Sequence, residues 1–482
     1  MKRILTTLAL AATISFTTMA QVNLNDKEYL HPREDGKIER LYTQDFYHFD
    51  VETLEKFHQE WEDYTRRHPT DEIGWRNYEQ VWTSYMMERG WPKEPNHPLY
   101  TEWRRRLAES IPNTYTYYYL MTDYFLDERP DGEKDYQRAA YDNDCKAMEL
   151  LPDDVTYLDM TSIINVMLDN FDTLRTNKLL FEIYDRNLIS QNVLQYHFNE
   201  LQGMPDSALY IGNWNGNIIP KLIIQRVLGL HRDKIFYNQG DCTDKAYNAA
   251  FFKKYGIPEC GNYDEWFRSH KTSDYNYKLQ YEWHKKVVQH ICDNSPRPVC
   301  FSANGMSSDW LTDSLKARLY NEGLTMRYSA TPYDNFAVKR RNINQRYHLE
   351  YLLYPFKKQK TWNRSWSWGD GADNDGNYIG LLKDQLPWYK KHDRKGYERL
   401  VRLFVRIFFG QGTLEAAKMA SLNADELPEG MTMQIIENYF KEIENFDTIE
   451  KMWNWKEQGD AAFKALMEAP KNAETPTKQE KK

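Results

Sequence analysis

After a polar, extended stretch over about 22–40, apolar residues recur every three to four positions from Val51 to Leu201. That spacing gathers them on one face of an α-helix. It predicts helices over Val51–Arg67, Glu72–Arg89 and Pro98–Ser110, with Pro92, Pro95 and Pro98 separating the last two. It continues over residues 115–125, 135–151, 155–168, 170–186 and 190–201. Within 135–151, Ala140, Ala147 and the following Pro152 stand at the offsets of the second half of a tetratricopeptide repeat. There, small residues let two helices close on each other and proline stops the second. The Tyr-rich helix before it lacks the usual Trp and Gly of such repeats, so the expectation is a degenerate array of helical hairpins.

The pattern changes at Ser207. Residues 207–212 form a short apolar run, 212–217 read Gly-Asn-Trp-Asn-Gly-Asn, 218–230 are apolar and helical in period, and 232–238 end a second strand. Strand, turn, helix and strand make one βαβ unit. Helices over 247–255, 277–292 and 307–319 alternate with strands over 298–302 and 323–328, which predicts a parallel sheet. Further helical segments are expected over 343–353, 378–392, 397–409, 414–422, 433–444 and 448–466. The expected fold class is therefore α/β with large all-α portions. Tetratricopeptide-like hairpins (21–204) and a second helical region (341–468) flank a small Rossmann-like parallel α/β domain (205–340). The Lys/Glu/Pro/Thr-rich tail, 469–482, has the composition of disordered chain.

The ends and the charge narrow the setting. Lys2 and Arg3, an apolar run from Ile4 to Phe16, and Thr18-Met19-Ala20 match a secretory signal peptide over 1–20. The run is shorter than the ~20 residues a spanning helix needs, and no Cys follows the cleavage site. The expectation is an exported protein of the periplasm or envelope of a Gram-negative bacterium, with no transmembrane segment in the mature chain. Loss of Lys2 and Arg3 takes the formal net charge from −8 to −10, which argues against nucleic acid as a partner. Five cysteines remain, with Cys242–Cys260 and Cys292–Cys300 as candidate bridges by proximity and at least one thiol left over. The 35 Tyr and 15 Trp suit helix packing first and ligand stacking second.

Three stretches carry candidate chemistry. Gly212, Asn213, Trp214, Asn215, Gly216 and Asn217 lie between a strand and a helix N-terminus, where backbone N–H groups attract ligands. The pattern is neither GxGxxG nor a P-loop, and Asn238 stands where a ribose-binding acid would be. Lys339, Arg340, Arg341, Arg346, Lys357, Lys358, Lys360 and Arg364, with Trp362, Trp366 and Trp368, form a basic, aromatic stretch. It suits an anionic glycan, a lipid phosphate or the acidic face of a partner. Asp370, Asp373, Asp375 and Asn377 gather oxygen ligands of the kind Ca²⁺ takes, although the twelve-residue EF-hand spacing fails and a polar turn is the alternative. No cofactor is expected. Neither HExxH, GxSxG nor a Cys/His metal spacing occurs, so no catalytic residue is named.

Ala208-Leu209-Tyr210, Leu228-Gly229-Leu230-His231-Arg232-Asp233, Arg297-Pro298-Val299-Cys300-Phe301-Ser302, Glu322-Gly323-Leu324, Arg346-Tyr347 and Trp368-Gly369 follow one another in a distinctive order. In that order the chain resembles the soluble C-terminal region of protein O-mannosyltransferase-like membrane proteins of Bacteroidetes-type bacteria, over about half its length. The resemblance implies an α/β fold with tetratricopeptide-like helices and a setting in envelope glycosylation or secretion. It brings over no catalytic residue, because the membrane part expected to hold the transferase chemistry has no counterpart here. Nor does the first βα turn carry the family's acidic residues. The expected function is a non-catalytic binding or scaffold protein with an envelope protein or a glycan as partner. A carbohydrate-active enzyme or transferase accessory subunit is the alternative, and a nucleotide or sugar-phosphate binding regulator a second one.

Overall fold

Aspartates cap four of the helices in the N-terminal array. In the computed structural model, which describes residues 28–34, 38, 40–46, 49–92, 97–123, 135–270, 277–303, 310–349, 377–400 and 403, the Asp50 carboxylate accepts from Thr53 N at the start of α1 (Val51–Arg67). Asp71 does the same for Ile73 and Gly74 at the start of α2 (Glu72–Arg89). Each cap satisfies backbone donors that a helix end leaves without partners. A Cβ on Gly74 would meet the Tyr64 ring at 2.7 Å, so α1 and α2 close where no side chain intervenes. Then come α3 (Pro98–Ser110), α4 (Tyr115–Asp123), α5 (Tyr136–Glu149), α6 (Tyr157–Asp169), α7 (Thr173–Asp185) and α8 (Gln191–Gly203). Ala140 and Ala147 are fully buried.

Much of the aromatic content is core. Trp75 and Trp103 meet Tyr78 edge-on, and Trp82 lies 5.6 Å from Trp103. The Arg104 guanidinium lies 4.5 Å from the Trp103 ring centre, and Arg106 lies 5.3 Å from that of Trp75. These stacked cations let an arginine-rich helix pack on tryptophan.

The sheet has five strands: β1 (Leu209–Gly212), β2 (Ile235–Asn238), β3 (Val299–Ser302), β4 (Leu319–Asn321) and β5 (Thr325–Tyr328), in the order β2-β1-β3-β5-β4. β1 pairs in parallel with both β2 and β3. Its residues alternate between two cores. Leu209 and Ile211 join Trp283, Val287, Val288 and Ile291, while Tyr210 joins the helical array. A strand covered on both faces is apolar throughout, which is how the sequence reads. The helix over 214–227 (α9) connects β1 to β2. Helices α10 (Lys245–Tyr255), α11 (Tyr263–Ser269) and α12 (Tyr277–Asn294) lead to β3.

The far edge differs from the expected parallel sheet. β5 runs antiparallel to β3 and to β4, so the sheet is mixed. The helix expected over 307–319 is reduced, among its described residues, to α13 (Asp313–Lys316), and Leu319–Asn321 is a strand. The hairpin turn forms because Asn321 Oδ1 accepts from Gly323 N while Gly323 holds φ at 133°, a conformation that a Cβ disfavours. None of the five cysteines is bridged, so neither proximity pair forms a disulfide.

Residues 25–371 form one compact unit. Its core passes without a break from Tyr115 and Ile163 through Leu201 to Tyr210 and Ile224. The segment after α14 (Asn335–Arg341) fastens the sheet edge to α8. Asn342 Nδ2 donates to Glu322 O and Gly203 O, and Asn199 exchanges hydrogen bonds with the His348 backbone. The second unit comprises 1–24 and 372–482; α15 (Asn377–His392), with Pro387 inside it, represents it here. The signal-like segment, the region after 403 and the tail lie outside the described residues. No helix among those described is long and apolar enough to cross a membrane.

Candidate functional site at the strand switch point

From β1 the chain crosses to β2 on one side and returns to β3 on the other. The crevice beyond the strands' C-terminal ends at such a reversal is where open α/β sheets take ligands. Here it is bordered by the turn that the sequence singles out. A Cβ on Gly212 would meet the Tyr210 ring at 2.6 Å and Asn217 Cβ at 3.2 Å, so the last residue of β1 has room only for hydrogen. Asn213 Oδ1 accepts from Gln239 Nε2 at 2.7 Å, linking the ends of β1 and β2. Trp214, Asn215, Gly216 and Asn217 form a wide helical turn of the π type, closed by Ile218 N on Asn213 O. Asn217 is buried, and its Oδ1 accepts from the Tyr210 hydroxyl.

Beneath the turn lies a charged cluster that no sequence motif announces. Lys221 and Glu200 are 0% exposed and His197 is 1% exposed. Lys221 Nζ donates to Glu200 Oε2 at 2.5 Å and to Asn217 O at 2.8 Å, stands 2.9 Å from His197 Nδ1, and lies 4.2 Å from the centre of the Tyr210 ring. Pro220 has no N–H to give the carbonyl four residues back, that of Gly216. His197 Nε2 is buried without a hydrogen-bond partner.

Burial opposes every charge in the cluster, and the neighbours decide which survive. Burial lowers the Lys221 ammonium's pKa while Glu200 pulls it back up. Burial would raise Glu200, but Lys221 and then His197 outweigh it and hold the carboxyl below its ordinary range. His197 is pushed down to about 4, by burial and then by Lys221. Glu200 is thus held as the carboxylate and His197 as the neutral imidazole at neutral pH, with the Lys221 amine bonded to that carboxylate. Bonded to Glu200 and to the Asn217 carbonyl and sealed from solvent, Lys221 braces the turn.

Acidic groups border the same edge. Asp241 follows β2 in the turn that begins at Gln239, and Asp244 caps α10 by accepting from Tyr247 N. Asp169, at the end of α6, has its carboxyl pushed up, first by loss of surrounding water and then by Asp241 and Asp244.

The other sequence candidates do not converge on this edge. Lys339 is buried, Arg340 stacks on Phe336, Arg346 donates to Gln202 O, and Arg341 is exposed. Lys357, Lys358, Lys360, Trp362, Arg364, Trp366 and Trp368 lie outside the described residues, as do Asp370, Asp373 and Asp375. Asn377 is the first residue of α15. Among the described residues no group of three His, Cys, Asp or Glu side chains could hold a metal. His197, Glu200 and Lys221 had one legible signal. A lone lysine interrupts the apolar run 218–224, and a His/Glu pair three residues apart sits on a facing helix. No protein family, curated protein or solved structure matches this chain.

Proposed function

We propose that this chain is an exported, non-catalytic binding protein of the cell envelope whose helical array docks a protein partner. One observation carries it. α7 presents Leu174 at 82% exposure and Phe181 at 53%, with Phe171 just before it at 59%. Leu174 and Phe181 are seven residues apart, on one face, with exposed Lys178 between them. Phe171 adds a conformational cost. It closes α6 with φ at 56°, Asp172 N bonding Met167 O and Phe171 N bonding Leu168 O. Glycine is the usual residue at that left-handed position.

An apolar pair about 10 Å apart with a cation between fits a helical segment whose apolar residues straddle an acidic one. Burying each side chain stabilises a complex by about 1.5–3 kcal/mol. The glycosylation setting rests on the resemblance of residues 207–453 alone. The test is capture from the organism's own envelope fraction, comparing wild type with Leu174→Asp, Phe181→Asp and a Thr173→Asp control. A discrete partner kept by the control and lost by the other two supports the reading. Equal capture by all four, or none by wild type, rejects it.

A further inference from the structure

We infer that the docking face of α7 continues across Asn177 onto the end of α9, and that its occupant is an acidic amphipathic helix of the partner. Such a helix grips the helical array and the βαβ unit together. This footprint rests on the docking reading of α7 and extends it. Asn177 is the link. It is exposed and lies three residues after Leu174 and four before Phe181, on the stripe those two form. Its Oδ1 accepts from Arg226 Nη1 at 3.2 Å. Arg226 stands on the last turn of α9, which packs against α7. The bond therefore sets an exposed guanidinium beside the apolar pair.

The end of α9 adds apolar surface. Leu228 N bonds Ile223 O and Leu230 N bonds Ile224 O, with Gly229 between them at φ 75°. An apolar residue just past such a left-handed turn ordinarily folds back onto its own helix. Leu228 and Leu230 are instead both exposed.

Charge selects the occupant. The acids that flank the stripe are engaged, Asp172 with Arg175 and Glu182 with Arg186. Lys178 and Arg226 have no carboxylate partner among the described residues. Two uncompensated cations beside exposed leucines, on a chain of formal net charge −8, are complementary to carboxylates brought from outside. A bilayer is a continuous anionic surface, and exposed Asp185 at the end of α7 would repel it. A helix can instead set its acids one turn apart over Lys178 and Arg226, with its apolar residues on Leu174, Phe181 and Leu230.

The experiment adds Arg226→Glu and Leu230→Asp to the capture, then titrates the recovered partner against wild type and each variant at about 0.05 M and about 0.5 M NaCl. The expected result is that the partner lost by Leu174→Asp also binds Arg226→Glu and Leu230→Asp about tenfold or more weakly. Wild-type affinity should fall about tenfold or more at the higher salt. Both substitutions are at exposed positions, so thermal midpoints near that of wild type separate lost contact from lost fold. Wild-type affinity in Arg226→Glu and Leu230→Asp, with binding lost only in the α7 variants, would overturn the inference and leave the docking reading standing. So would binding indifferent to salt, displacement of the partner by phosphatidylglycerol vesicles, or recovery of nothing but a second copy of this chain. No capture by wild type removes both.

Discussion

The helical array and the joint beside the sheet both bury positive charge, and they do so in different ways. In the array the cations are arginines laid on tryptophan rings, with Arg104 also donating to Tyr100 O. A planar guanidinium is weakly hydrated and stacks well, so it enters an aromatic core at modest cost. At the joint the cation is Lys221, a compact ammonium that needs a carboxylate and acceptors on every side. Its carboxylate comes from α8, in the array, while Lys221 itself lies on α9, in the βαβ unit. The pair therefore ties two kinds of structure together, and removing one member leaves the other charge stranded.

That contrast sets the order of expected effects. Lys221→Met should cost about 3–5 kcal/mol in chemical denaturation, the usual penalty for orphaning a buried charge. Arg104→Met, in the array, should cost clearly less. Gly212→Ala should lose about 1–3 kcal/mol, because the new methyl must displace the Tyr210 ring.

Asp144 tests the array by pH. Its carboxyl is buried, accepts from Thr122 Oγ1, and is pushed up to about 7 by burial. The folded state thus holds a proton that the unfolded chain releases near pH 4. Its stabilising contribution is full below that pH, falls as pH rises through 7 and then levels. Asp144→Asn should therefore gain roughly 1–2 kcal/mol over wild type at pH 8 and little at pH 4. A constant difference across that range would refute the assignment. The smallest effect is expected at Phe171→Gly, a gain of about 1 kcal/mol or less from relaxing the left-handed backbone, measurable as a shift in thermal midpoint.

The periodic parts of the fold were legible because their physics is local. Heptad-like apolar spacing gave the hairpins, and the run Leu209–Gly212 with its Gly/Asn turn gave the parallel strands. β4 was not legible. Leu319-Tyr320-Asn321 continues the spacing of the preceding helix, and only pairing with β5 makes it a strand. The turn at 212–217 could be read as a site boundary, but its supports could not. Gln239, Glu200 and His197 meet it through contacts 21 to 26 residues away or through a helix from the other region. Long-range charge pairing leaves no periodic trace in sequence.

The most direct test of the charge-locked joint is a double-mutant cycle on Lys221→Met and Glu200→Leu, followed by chemical denaturation at pH 7. The account predicts that each single change is severely destabilising and that the double variant is no worse than either, a coupling of about 3 kcal/mol or more. Additive losses would contradict it and reduce the pair to two independent packing residues.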